Sequence, residues 1–160
     1  MRVLHTTKVQ GIGGAEQHLL NLLPALRERG VDARFLSLDA GLDSERFHRA
    51  LDQRGVPWTR VHCGLDVSPR LAFDVTRAVR RETPELLHTH MVHADVYGSV
   101  AARLTRTPFV STRHNDDRYL LGPFRYVDRT FMRGAGAIIA ISNAVREFHV
   151  RAGLPADRLV

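Results

Sequence analysis

Short apolar runs alternate with amphipathic stretches along almost the whole chain, and this alternation limits the fold more than any single motif. Strand-like segments are expected at about 2–7 (RVLHTT), 32–38 (DARFLSL), 58–62 (WTRVH, after Pro57), 85–90 (ELLHTH), 108–114 (PFVSTRH) and 135–142 (AGAIIAIS). Between them lie patterns with helical spacing. The first places Leu19, Leu22, Leu23 and Leu26 on one face and ends at Gly30, in the usual C′ place. Pro24 lies inside it, deletes one backbone hydrogen bond and predicts a kink. Further helices are expected from a cap at Asp43 or Ser44 to about Arg54, over 69–82 with Leu71, Val75 and Val79, over 93–105, over 123–133, and from Asn143 to Ala152. The closing GLPADRLV reads as a loop leading into another strand.

Strands as continuously apolar as GAIIAI are covered on both faces. The pattern therefore predicts an α/β fold, a three-layer Rossmann-like domain with a mainly parallel sheet and helices on both faces. Right-handed crossovers put every strand-to-helix loop at the carboxyl edge of such a sheet, where ligands bind.

The bulk of the chain fits one domain: 160 residues, 44% of them hydrophobic, too many for disorder. No apolar run approaches the roughly 18 residues of a membrane helix, and the start MRVLHTTK shows no signal-peptide core. Cys63 is the only cysteine, which excludes an internal disulfide and suggests a cytoplasmic setting. It is read as a small core or loop residue rather than a nucleophile. The net charge of +6 permits anionic partners. The basic residues are dispersed, however, and no aromatic platform is interleaved with them, so no nucleic-acid partner is expected.

Three segments land on one rim. The first is GIGGAE, 11–16. Its glycines permit a tight turn and close approach of the backbone, and the following helix offers unpaired N–H groups and the positive end of its dipole to an anion. A plain connector is the alternative. The dinucleotide pattern starting at Gly11 needs glycine at 16, where Glu16 stands, and no Gly-Lys-Ser/Thr follows for a Walker loop. Asp39 lies too far on to be the usual ribose-binding acid.

The second segment is HTHMVHAD, 88–95. His88 and His90 share a face by the period of two. With His93 and Asp95 they admit a metal reading, against rim histidines bonded to backbone or contacting a sugar or phosphate; no metal is expected. The third is STRHNDDR, 111–118, from which Arg113, His114 and Asn115 are expected to leave the strand end into the rim. Helix capping is the alternative for the Asn-Asp run. Ser142 falls on the same rim, as a ligand contact or as the N-cap of the last helix.

Together GIGGAEQHLLNLLPALRERG, the strand-end HTH, PFVSTRH and GAIIAISNAVREF resemble, in order and over essentially the whole chain, the N-terminal domain of family-4 retaining glycosyltransferases of the GT-B fold. The resemblance implies a two-domain enzyme with a cleft between Rossmann-like halves. Such an enzyme moves a sugar from a nucleotide-sugar donor to an acceptor with retention, and the transferred group is expected to be a hexosyl. It implies that Gly13 and Gly14 face the donor diphosphate and the acceptor. Glu16 then lies toward the acceptor, His114 approaches the transferring sugar as the catalytic candidate, and His90 takes a less specific rim position. It implies no cofactor, because protein groups stabilise the leaving diphosphate. The donor-binding C-terminal domain is not among these residues, so the chain is expected to be an inactive half on its own. The alternative is a stand-alone nucleotide- or phosphate-binding module. Loops 62–69 and 116–124 are the candidate acceptor loops. RYLLGPFRYVDRTFMR is read either as an ordinary amphipathic core helix or as a peripheral contact with the inner face of a membrane or with a lipid acceptor.

Overall fold

The computed structural model describes residues 1–41, 43–64 and 67–160. The elements run β1 (Arg2–Val9), α1 (Gly14–Glu28), β2 (Asp32–Asp39), α2 (Ser44–Gln53), β3 (Trp58–His62), α3 (Pro69–Glu82), β4 (Leu86–His90), α4 (Met91–Thr105), β5 (Phe109–Arg113), a 3-10 turn (Arg118–Leu121), α5 (Phe124–Met132), β6 (Ile138–Ala140) and α6 (Asn143–Arg151). The six strands form one sheet in the order β3-β2-β1-β4-β5-β6, and every pairing is parallel. This is the doubly wound Rossmann arrangement. Its strand order reverses between β1 and β4, so the loops there diverge and leave a crevice.

Each face of the sheet has its own core. Phe35, Ala33 and Val9 pack with Leu19, Leu20 and Leu23 of α1 and Phe47 and Leu51 of α2. On the other side Leu4, Leu36, Leu38, Leu87 and Phe109 meet Leu71, Val75 and Val79 of α3, Tyr97 and Ala101 of α4 and Met132 of α5. The alternation along each strand divides residues between these layers. Leu22 of the predicted helical stripe is only half-buried, because it lines the cavity described below. Pro24 lies inside a helix that continues through it. Gly30 ends that helix at φ 80°, with Val31 N–H reaching back to Leu26 O at 3.0 Å.

One packing contact was not visible as a motif. A Cβ on Gly98 would stand 2.3 Å from Thr89 Cγ2, so α4 lies closer to β4 than any other residue type allows.

The strand ends differ from the sequence expectation by small amounts. β1 continues to Val9 because Asp39 of β2 keeps its ladder partner. β6 is shorter than the apolar run, with only Ile138–Ala140 paired to β5. The closing segment does lead into a strand contact, with Leu159 bridging Ile138 in parallel. Of the expected acceptor loop 62–69, residues 65 and 66 lie outside the described residues.

Candidate functional site

The crevice at the reversal point is a cavity of about 980 Å³. Its walls come from the loop after β1 and the start of α1 (Lys8, Gly13, Gly14, Glu16, His18), from the junction of β4 and α4 (His88, Met91, His93), and from the end of β5 and beyond (Thr112, His114, Asn115, Tyr119). A smaller hollow of about 330 Å³ between β3 and α3 takes in His62, the first residue of the expected acceptor loop 62–69, and none of the residues of the three rim segments.

The glycine loop is organised differently from the expectation. Gly13 caps α1 in an extended conformation, and its N–H donates to Glu16 Oε2 at 3.0 Å. This is half of a capping box; glycine has no side chain to supply the other half. Glu16 therefore turns back onto its own helix rather than outward, and the Gly13 N–H is already occupied by an anion. Helix geometry leaves the N–H groups of Gly14, Ala15 and Glu16 without intrahelical acceptors, and these open the anion-favouring end of α1. Lys8, which the sequence reading passed over, adds a positive charge to the same wall.

Polar side chains replace apolar ones on the sheet face under this cavity. His5 and His88 are neighbours in the β1–β4 register, and His90 pairs with Thr112 across β4 and β5. His88 and His90 stack with centroids 4.2 Å apart, and the His5 ring lies tilted against His88 at 4.7 Å. His5 Nδ1 lies 3.1 Å from His90 Nε2, and His90 Nδ1 lies 3.2 Å from His114 Nε2. His88 Nε2 meets Thr112 Oγ1 at 2.7 Å, and His18 of α1 sets its ring edge against His114. Burial holds His5 and His90 well below the ordinary imidazole range, and neighbouring histidines push the same way. Burial likewise lowers His88 and His114 to about 4. All four are neutral at physiological pH.

His114, Asn115, Gly13, Gly14 and Glu16 all line the cavity. His90 lies beneath it, fully buried, against two residues that line it: His88, on which its ring stacks, and His114, which it meets at 3.2 Å. Arg113 requires a correction. Alternation sends it to the opposite face from Thr112 and His114, where it is 1% exposed. Its Nη2 pairs with Asp128 Oδ1 at 2.7 Å and Asp95 Oδ2 at 3.0 Å, so it ties β5 to α4 and α5 and faces no ligand. Ser142 is the N-cap of α6, its Oγ accepting from Val145 N–H at 3.2 Å, and does not line the cavity. Asp39 is held by Ser44 Oγ at 2.6 Å.

The metal grouping read from the sequence also changes membership. Asp95 belongs to the Arg113 cluster and accepts from Thr89 Oγ1, and His93 stands beside the buried Cys63 at 3.8 Å. The ring nitrogens that gather within 4.8 Å are those of His5, His88 and His90. Both His90 nitrogens are engaged by other imidazoles and His88 Nε2 by Thr112, so the set is arranged as a hydrogen-bonded stack.

Beyond the cavity, the 118–133 segment is less buried than an ordinary core helix. α5 buries Asp128 and Met132, while Tyr119, Leu121, Phe124, Tyr126 and Val127 are exposed. No helix among the described residues is long and apolar enough to cross a membrane.

Comparison with known proteins agrees with this fold. Among solved structures, Anabaena HepE in complex with UDP-glucose superposes with a TM-score of 0.80 at 24% identity, over 100% of this chain and 43% of that one. A glycosyltransferase from Rickettsia africae gives 0.78 at 16% identity, over 99% and 41%. The lipopolysaccharide outer core galactosyltransferase WaaB in its apo form gives 0.75 at 13%, over 100% and 44%. The chain therefore spans less than half the length of these structures, and it corresponds to their N-terminal GT-B half. A search of curated proteins found no significant match. The model of Glycosyltransferase Family 4 matches residues 12–160, and the chain belongs to that family.

Proposed function

We propose that this chain is the acceptor-side half of a retaining glycosyltransferase that moves a hexosyl group from a nucleotide-sugar donor to an acceptor hydroxyl. One observation carries the reading: the cavity of about 980 Å³ at the strand-order reversal brings together the N-terminus of α1 and His114. The complex of Anabaena HepE with UDP-glucose supports a nucleoside-diphosphate sugar as the donor class. A second domain would supply most contacts to the nucleotide and close the cleft.

In the transfer, the bond between the anomeric carbon and the diphosphate oxygen breaks and its electron pair leaves with the diphosphate. The acceptor oxygen forms the new bond, and its proton passes to the leaving phosphate. Negative charge grows on the leaving group, where the α1 N-terminus and Lys8 lower its energy, an effect that can reach several kcal/mol in a closed site. His114 hydrogen-bonds the transferring sugar. The exposed aromatic and aliphatic side chains from Tyr119 to Val127, interleaved with Arg118, Arg125 and Arg129, support a peripheral contact with an acidic membrane face and a lipid-borne acceptor. The enzyme would then work at the cytoplasmic side of that membrane.

The test is a donor screen on the enzyme carrying both domains, read as nucleotide release. His114→Ala should lower turnover at least 10-fold, a loss of about 1.4 kcal/mol of transition-state stabilisation, with a melting temperature close to wild type. Unchanged turnover would remove His114 from the site. Residues 1–160 alone should transfer little or nothing, and robust transfer by them would contradict the divided site.

A further inference from the structure

The histidine stack has a direction, and that direction decides what His114 offers to a ligand. His5, His90 and His114 form a chain in which His90 uses both ring nitrogens, Nε2 toward His5 Nδ1 at 3.1 Å and Nδ1 toward His114 Nε2 at 3.2 Å. A neutral imidazole has one N–H and one lone pair. His90 must therefore donate in one direction and accept in the other, and only two arrangements of the chain exist.

In the inward arrangement His114 Nε2–H donates to His90, and His90 Nε2–H donates to His5 Nδ1. His5 must then carry its proton on Nε2. That atom is buried and has no hydrogen-bond partner among the described residues. A buried N–H without an acceptor is among the rarest and costliest defects of a folded protein. In the outward arrangement the orphaned His5 Nε2 is a bare lone pair, which is tolerated more easily. His5 Nδ1–H then donates to His90 Nε2, and His90 Nδ1–H donates to His114 Nε2. The proton of His114 is left on Nδ1, the nitrogen that the contact with His90 does not use, on a side chain that lines the cavity.

We propose that His5 and His90 are positioning residues that hold His114 as its Nδ1–H tautomer, so that His114 meets its ligand as a hydrogen-bond donor. The inference rests on the reading of His114 as a contact to the transferring sugar. It deepens that reading by naming the partner atom: an acceptor oxygen of the donor's sugar or phosphate. It also excludes His114 as a general base, since its one lone pair faces His90.

The test is two-bond proton–nitrogen correlation NMR on the protein labelled with nitrogen-15 in histidine, at neutral pH, where the two neutral tautomers give distinct patterns. Wild-type His114 is expected as Nδ1–H, the minor form of imidazole in water. Finding it as Nε2–H overturns the proposal. His5→Asn places an amide N–H where His5 Nδ1–H stands, so it should preserve the Nδ1–H pattern. His5→Phe removes that donor and should shift His114 toward Nε2–H. Identical His114 spectra in both folded variants would show that His5 does not direct the relay. Titration of the two-domain enzyme with UDP-glucose separates the two readings: a His114 that stays Nδ1–H but does not respond to the ligand upholds the relay and overturns the sugar contact.

Discussion

Glu16 Oε2 accepts the backbone N–H of Gly13 at 3.0 Å, so the loop that opens the cavity closes its own helix end with a carboxylate. An incoming diphosphate meets a site already holding one negative charge. Glu16→Gln keeps an acceptor oxygen for Gly13 N–H and removes that charge. Charges near a helix N-terminus are worth about 0.3–1 kcal/mol, so Glu16→Gln should tighten nucleoside-diphosphate binding about 2- to 5-fold in the two-domain enzyme. Calorimetric titration measures this directly. Weaker binding would mean that the carboxylate serves the ligand rather than competing with it.

Arg113 is a buried cation held between two buried carboxylates, Asp95 and Asp128. Removing one member of a buried ion pair leaves an uncompensated charge and costs about 3–5 kcal/mol. Asp128→Ala should therefore lower the urea midpoint severely. Arg113→Met should do the same, since it leaves two buried carboxylates facing each other. If Arg113→Met instead kept the midpoint and raised KM for the donor, Arg113 would return to the binding site.

Gly98 and Thr89 make a second prediction about packing. Gly98→Ala gains up to about 1 kcal/mol of helix propensity but drives a methyl group to 2.3 Å from Thr89 Cγ2. Overpacking of this kind costs about 1–3 kcal/mol, so the variant should be less stable than wild type. Thr89→Ser removes the opposing methyl and keeps the hydroxyl that bonds Asp95. The double variant should recover most of the loss in thermal melts; additive losses would place the strain elsewhere.

The sheet, its parallel sense and the helix faces were legible because they follow from local periodicity. Leu71, Val75 and Val79 were read correctly from spacing alone. The site was legible only where a residue reaches the rim from its own loop, as His114 and Asn115 do. Arg113 sat between Thr112 and His114 in a run of polar residues, and the same period of two that paired His88 with His90 would have sent it to the other face. What holds it there, Asp95 and Asp128, lies on two other elements. His5 gave no signal either. Between Leu4 and Thr6 it looks like an ordinary strand residue, and it becomes part of a relay only when β1 and β4 pair with His5 against His88.

The buried histidines make the fold sensitive to acid in a stated direction. In the unfolded chain each titrates near the ordinary value of about 6.5. In the fold, burial lowers His88, His114 and His149 to about 4, and it holds His5 and His90 well below their usual range. Between pH 6.5 and 4 the unfolded state binds more protons, so stability rises with pH across that window. It is fully present above about 6.5 and is lost as the pH falls toward 4. Asp95 and Asp117, both raised by burial, have the opposite slope, but they are two groups against these five. Melting temperatures should therefore fall steadily from pH 7 to pH 5. His88→Gln, which keeps a polar group opposite Thr112 but cannot take up a proton, should flatten the curve. A wild-type melting temperature that stays level over that range would show that the stack is already protonated in the fold, which its neutral hydrogen-bond chain does not allow.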